Sequence, residues 1–178
     1  MTMTSYDIDP THTYVGFSIR HMMVTQQRGQ FHAVSGKLEL NRSDLTKSRV
    51  EAAIDVASVD THVTQRDEHL RGADFFDVAN HPQMTFVSKE IRPREDGSLD
   101  IVGDLTIRGI TRSVTLDVEP ISGDSKDPFG MIKAGTSATT KISRKDYGLV
   151  WNTALETGGV AVGDTVKITL DLQFQRKP

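Results

Sequence analysis

Val166-Lys167-Ile168-Thr169-Leu170-Asp171-Leu172-Gln173-Phe174-Gln175 alternates apolar and polar residues without a break. Side chains of a β-strand point to opposite faces at a period of two, so this stretch is a half-buried strand with Val166, Ile168, Leu170, Leu172 and Phe174 inward. A helix, with a period of about 3.6, cannot gather those five residues on one face. The same two-residue period recurs in Val50-Ala52-Ile54-Val56, in Leu99-Ile101-Gly103-Leu105-Ile107 and in Val114-Leu116-Val118. Shorter cases run from Tyr14 to Ile19, Phe31 to Leu40 and Met84 to Ile91, with a Gly-broken, Thr-rich strand from Gly130 to Ile142. Several strands therefore share one buried face.

Turn chemistry separates them. Arg92-Pro93-Arg94-Glu95-Asp96-Gly97-Ser98, Arg108-Gly109-Ile110-Thr111 and Ser122-Gly123-Asp124-Ser125-Lys126-Asp127-Pro128 fall between successive patterns. Links this short imply consecutive antiparallel neighbours. Gly158-Gly159 with Gly163 reads as a further hairpin turn, because no βαβ unit surrounds it to make a phosphate loop. One segment reads as a helix, Gln65 to Arg71, with Thr64 as N-cap, Asp67 complementing the helix dipole and Gly72 as the stop. About eight alternating strands can form a sandwich or an up-and-down barrel, and periodicity does not choose between them. With aromatic residues at 6% and a single Trp, the side chains available to plug a barrel are modest in size, which favours a cavity.

At 178 residues, 37% hydrophobic and without repeat or linker, residues 1–178 read as one domain. Net charge is −3, which lacks the basic footprint that nucleic-acid binding requires. Cysteine is absent, excluding disulfides, thiolate catalysis and thiolate metal sites. No apolar run approaches the length of a membrane-spanning helix, and the N-terminal Met1 to Asp7 carries neither a basic region nor an apolar core, so a cytoplasmic location is the expectation. Asn41-Arg42-Ser43 matches a glycosylation sequon of a length that arises by chance.

His12, His21, His32, His62, His69 and His81 form no helical i, i+4 pair and no paired metal-ligand spacing, so neither a metal nor a cofactor is expected. Arg66-Asp67-Glu68-His69 is dense in titratable groups, and Asp67 with His69 can be written as an acid/base dyad. Capping and dipole energetics account for an acidic helix start without catalysis. Phe75-Phe76 with Met84 and Phe86 reads as an apolar plug at one end of the sheet. Met22-Met23, flexible thioethers between strands, suits either an adaptable surface at a cavity mouth or a buried loop anchor.

Several strings resemble the YceI family nearly end to end. They are Ile8-Asp9-Pro10-Thr11-His12 leading into Val15-Gly16-Phe17-Ser18-Ile19-Arg20-His21, then Arg28-Gly29-Gln30-Phe31 and Ser58-Val59-Asp60-Thr61. The most distinctive is the run from Gln65 to Val78, continuing through His81-Pro82-Gln83-Met84-Thr85-Phe86; the runs from Gly103 to Arg112 and from Ser143 to Leu149 complete the pattern. Gly72 stands where the family more usually has Ser, and Ser143 where it has Asn. The resemblance implies an all-β fold, an eight-stranded antiparallel lipocalin-like β-barrel with a short helix near one end. It also implies an elongated apolar interior that takes an isoprenoid or other long-chain amphiphile.

On this reading the chain is a binding or carrier protein and not an enzyme, its partner an isoprenoid, quinone or fatty derivative. Alternation nominates Phe17, Ile19, Ile54, Val56, Phe86, Leu105, Leu116, Ile168 and Leu170 as the wall of the tube. The polar rim is expected from His21, Arg66, Asp67 and His69, with Arg144 and Trp151 beside them and Met22 at the mouth. Two other readings compete: acid/base chemistry by the Arg66 to His69 cluster on a bound lipid or quinone, and a non-lipid interaction module, including a homodimer.

Overall fold

The computed structural model describes residues 2–156 and 159–178. The strands are β1 (Thr4–Ile8), β2 (Tyr14–His21), β3 (Thr25–Phe31), β4 (Val34–Leu40), β5 (Arg49–Asp55) and β6 (Val59–Asp60). After helix α1 (Thr64–Arg71) come β7 (Gln83–Pro93), β8 (Leu99–Ile107), β9 (Ile110–Val118), β10 (Ser125–Lys126), β11 (Ile132–Ser143) and β12 (Val162–Arg176). Three pairs of these are single long strands broken by a bend: β1 with β2, β3 with β4, and β5 with β6. Counted so, eight antiparallel strands follow one another up and down, with β10 an appendage on β11.

Closure rests on β12. One edge pairs with β11 from Lys133 to Ser143; the other pairs with β2 through Val162 to Asp171 and with β1 through Phe174 to Arg176. The fold class expected from the sequence is therefore the one observed, and the barrel alternative prevails over the sandwich. The bends have local causes. Pro10 cannot donate a ladder hydrogen bond, and the Asp9 side chain accepts from the Thr11 amide to shape the turn Pro10–His12. At His32 and Ala33 both backbone amides turn to the Ser58 Oγ, at 3.1 and 3.0 Å. The expected strand from Phe31 to Leu40 is thus interrupted at that point.

A bulge between Ser88 and Glu90 changes which residues of β7 face inward, from Met84 and Phe86 before it to Ile91 after it. Arg108 and Gly109 form the tight β8–β9 turn, both with positive φ. Gly158 lies outside the described residues; beside it, Ala154 and Val160 form an antiparallel bridge. The helix begins one residue earlier than expected, and Thr64 is its first residue and not its cap. Val63 occupies the cap position and makes no side-chain cap bond. The residue that organises this entry is Asp67, whose carboxylate reaches back to the Thr61 amide and hydroxyl at 2.9 and 2.5 Å.

The end opposite the β2–β3 hairpin is sealed by Tyr6, Leu40, Leu99 and Phe174, all essentially inaccessible. The Tyr6 hydroxyl donates to Asp124 at 2.7 Å. Beside this end, Asp9 accepts from Lys133 Nζ at 2.8 Å and from Thr11, with His12 Nδ1 at 3.1 Å, tying the bend between β1 and β2 to β11. Burial opposes ionisation of Asp9, but these hydrogen bonds outweigh it and hold its carboxyl well below the usual carboxylate range. A depressed carboxyl contributes stability that is full above the unfolded-state value and is lost as pH falls through and below it. Urea unfolding followed between about pH 5 and pH 2 should show Asp9→Asn losing less stability on acidification than the parent, because one of the linked protons is gone. An unchanged pH slope would show that this carboxylate is not linked to folding.

Candidate functional site

Inside the barrel lies a cavity of about 390 Å³ with an almost wholly apolar wall. Its existence follows from which residues face inward. On β11 these are Thr136, Ala138, Thr140 and Ile142, mostly small. Gly29 leaves room for the Phe17 ring, and a Cβ there would meet its Cζ at 2.4 Å; Gly103 stands in the same relation to Phe86. With both rings occupying the space a side chain would fill at these glycines, the centre stays open.

Phe17, Ile19, Ile54, Phe86, Leu105, Leu116, Ile168 and Leu170 all line this cavity. Each faces inward yet retains partial accessibility, because one side of it meets empty space. Val56 does not line it: the residue sits in the turn Val56–Ser58 at 1% exposure, packed within the core, because β5 ends at Asp55 and the two-residue alternation ends with it.

Arg20, Arg28 and His69 are the exposed residues among the described lining residues, and all belong to the end formed by the β2–β3 hairpin, α1 and the segment around Trp151. This end is the mouth. His21, Gln27, Thr61 and Arg66 join the lining there. The His69 ring lies edge-on to Phe75 and Trp151, with centroids 5.0 and 4.8 Å away, and Phe76 packs on Phe31 at 5.8 Å. Phe75, Phe76, Met84 and Phe86, expected as an apolar plug at one end of the sheet, all line the cavity. No carboxylate is found among the described lining residues, which carry Arg20, Arg28 and Arg66 at the mouth, while Asp74 pairs with His69 just outside the lining.

Three nominated rim residues stand elsewhere. Asp67 is buried and fully engaged with Thr61. Met22 is at the hairpin tip, outside the cavity wall and 43% exposed. Arg144 touches the lining but is not at a solvated rim: it is 3% exposed, and its guanidinium donates to the carbonyls of Leu149, Trp151, Val162 and Gly163. Burial lowers its pKa, opposed by Asp164. It is a clamp that fixes the course of the chain after the turn Arg144–Tyr147. The Asp67–His69 dyad is not assembled either, since His69 Nε2 pairs with Asp74 at 2.9 Å while Asp67 serves Thr61.

Gln27 and Arg28 escaped the alternation argument because residues 25–30 carry no apolar rhythm, and Arg20 because it falls on the outward register of β2. Their signal was charge: no Asp or Glu occurs between Pro10 and Leu38 in a chain that has 24 of them.

The YceI-like domain model matches residues 6–174. The chain belongs to the YceI family. A UPF0312 protein of Staphylococcus epidermidis is 40% identical, over 97% of this chain and 98% of its own length. Among solved structures, BcnA of Burkholderia cenocepacia superposes with a TM-score of 0.81 at 24% identity, covering 93% of this chain and 98% of BcnA. A polyisoprenoid binding domain from Saccharophagus degradans, implicated in plant cell wall breakdown, superposes at 0.69 with 18% identity, covering 98% and 99% of the two chains. These two likenesses establish the shared barrel. Among the described residues no helix of this YceI protein is long and apolar enough to cross a membrane.

The Thr61–Arg66–Asp67 knot holds the helix over the mouth: Arg66 Nε donates to Thr61 Oγ1 at 2.8 Å and its Nη2 to the Thr61 carbonyl at 2.7 Å. Asp67→Ala leaves two buried Thr61 donors without an acceptor and should cost about 3 kcal/mol in urea unfolding. Asp67→Asn keeps an acceptor oxygen and should cost distinctly less. Equal losses would mean that packing, and not these hydrogen bonds, holds the helix in place.

Proposed function

We propose that this protein binds a single-chain amphiphile of the isoprenoid, quinone or fatty type, with the apolar chain inside the barrel and the polar end among Arg20, His21, Arg28, Arg66 and His69. The observation that carries this is the open apolar interior with its arginine and histidine side chains gathered at one end. A filled barrel would need no mouth, and a site for acid/base chemistry would need its titratable pair together. The polyisoprenoid binding domain from Saccharophagus degradans, built on the same barrel, supports the reading.

Water occupies about 30 Å³ per molecule, so the cavity has room for roughly a dozen groups of that size. Ten buried methylenes at about 0.8 kcal/mol each provide ~8 kcal/mol gross, about the net figure that micromolar binding requires, so contacts of the polar end at the mouth must offset the association costs. Apolar burial discriminates poorly among chains, so selectivity falls to the mouth.

Native mass spectrometry of the freshly purified protein, followed by denaturing extraction, should find a small amphiphile at one per chain, or an apo protein that takes up prenyl and fatty ligands on challenge. An apo mass unchanged by either ligand class overturns the reading. Leu116→Trp places a large ring in the cavity and should weaken a fluorescent fatty probe by about tenfold or more, roughly 1.4 kcal/mol. Thr115→Trp, one residue along on the outer face, should leave it unchanged. Equal effects would place the probe outside the barrel.

A further inference from the structure

The tip of the β2–β3 hairpin is built against the ordinary rules for a turn. Its two central residues, Met22 and Met23, both have left-handed backbones, with φ of 55° and 61°. A turn of that kind favours Asn and Gly, and a side chain with a Cβ is held there at a cost in backbone energy. The tip is nevertheless well fixed. Met22 donates its amide to Ala161 at 2.8 Å, Val24 donates to His21 at 3.0 Å, and the Met23 side chain lies against Gly159, where a Cβ would meet its Cγ at 3.1 Å.

What this rigid tip displays is three consecutive apolar residues: Met22, Met23 and Val24 are 43%, 53% and 73% exposed. Val160, on the segment that braces them, is exposed as well. Scattered exposed apolar residues are common, but a run of three on a strained turn has no part in the core and reduces solubility. Arg20 and Arg28 stand exposed on the two strands behind the tip, and Arg20 donates to the Met23 carbonyl at 3.2 Å. The hairpin itself carries no carboxylate; the nearby exposed acids are Asp164 in the β12 bulge opposite Arg20, which pairs with Lys145 at 3.3 Å, Glu156 on the bracing segment and Glu68 on the helix.

We infer that the hairpin tip is a membrane-docking element that seats Met22, Met23 and Val24 in the surface of an anionic bilayer, with Arg20 and Arg28 against the lipid phosphates. An apolar tip only three residues long reaches the boundary between headgroups and acyl chains and no deeper, and flanking cations are attracted to an anionic leaflet. The charge pattern selects this occupant, because an uncharged protein groove would have no use for the acid-free hairpin. The tip lies beside the cavity mouth, so a docked protein can pass an amphiphile between bilayer and barrel without exposing the chain to water. The transfer role rests on the reading given under Proposed function; the docking itself does not.

The test is flotation of the full-length protein with phosphatidylcholine vesicles and with vesicles that also contain phosphatidylglycerol. The protein should float with the anionic vesicles, less with the neutral ones, and less again at high salt. The triple variant Met22→Asn, Met23→Gly, Val24→Thr suits the turn and so should fold at least as stably. It should reduce the vesicle-bound fraction by about fivefold or more while leaving amphiphile affinity measured without vesicles unchanged. Failure of the parent protein to float, or equal flotation of the variant, overturns the inference. So does a dimer in sedimentation that the variant abolishes without any vesicle binding, since the tip would then serve self-association. Flotation without any amphiphile binding supports the docking surface and overturns the cavity reading.

Discussion

The pairing of β12 on both of its edges is the constraint on which the rest of the molecule depends. Because Val162 to Arg176 bonds to β11 on one side and to β1 and β2 on the other, the described sheet curls into a closed barrel. Closure turns a two-faced strand into an inside and an outside, and the apolar member of every alternating pair is committed to the inside. Whether that inside is filled is then a question of side-chain volume. Gly29 and Gly103 leave room for the Phe17 and Phe86 rings beside the barrel wall, and Thr136, Ala138 and Thr140 are too short to cross the lumen.

The two ends are then free to differ. One is sealed by Tyr6, Leu40, Leu99 and Phe174, whose burial is nearly complete. The other cannot be sealed in the same way, because the β2–β3 hairpin rises past α1 and the Trp151 segment and leaves Arg20, Arg28 and His69 between cavity and solvent. A tube with one closed end and one open end lined by polar side chains has a direction, and so does an amphiphile.

Much of this was legible in the sequence, and the failures have physical reasons. Alternation along β2, β5, β7, β8, β9 and β12 placed eight nominated wall residues on the lumen because a strand leaves no choice of face. Val56 failed where the strand gave way to a turn, a boundary that one more β-branched residue does not reveal. The polar residues were harder. Asp67, Arg144 and His69 look alike on paper as charged or polar groups near an apolar site, yet Asp67 is consumed by Thr61, Arg144 by four carbonyls, and His69 alone remains at the mouth. Most of these partners lie only five to seven residues away, but in irregular turns whose geometry periodicity does not encode. Arg28 lay on a polar stretch without rhythm and Arg20 on the outward register of β2, and only the absence of acids between Pro10 and Leu38 marked them.

The central claim is that an apolar chain occupies the barrel lumen with its polar end toward the mouth. The most direct measurement is a crystal structure of the protein with a fatty acid brominated near its chain terminus, read by the anomalous signal of bromine. The account predicts bromine within the lumen, among Phe86, Leu116 and Leu170, and the carboxylate near Arg66 or His69. Bromine on the outer surface of the barrel, or a chain running with its carboxylate toward Tyr6 and Leu40, would contradict it.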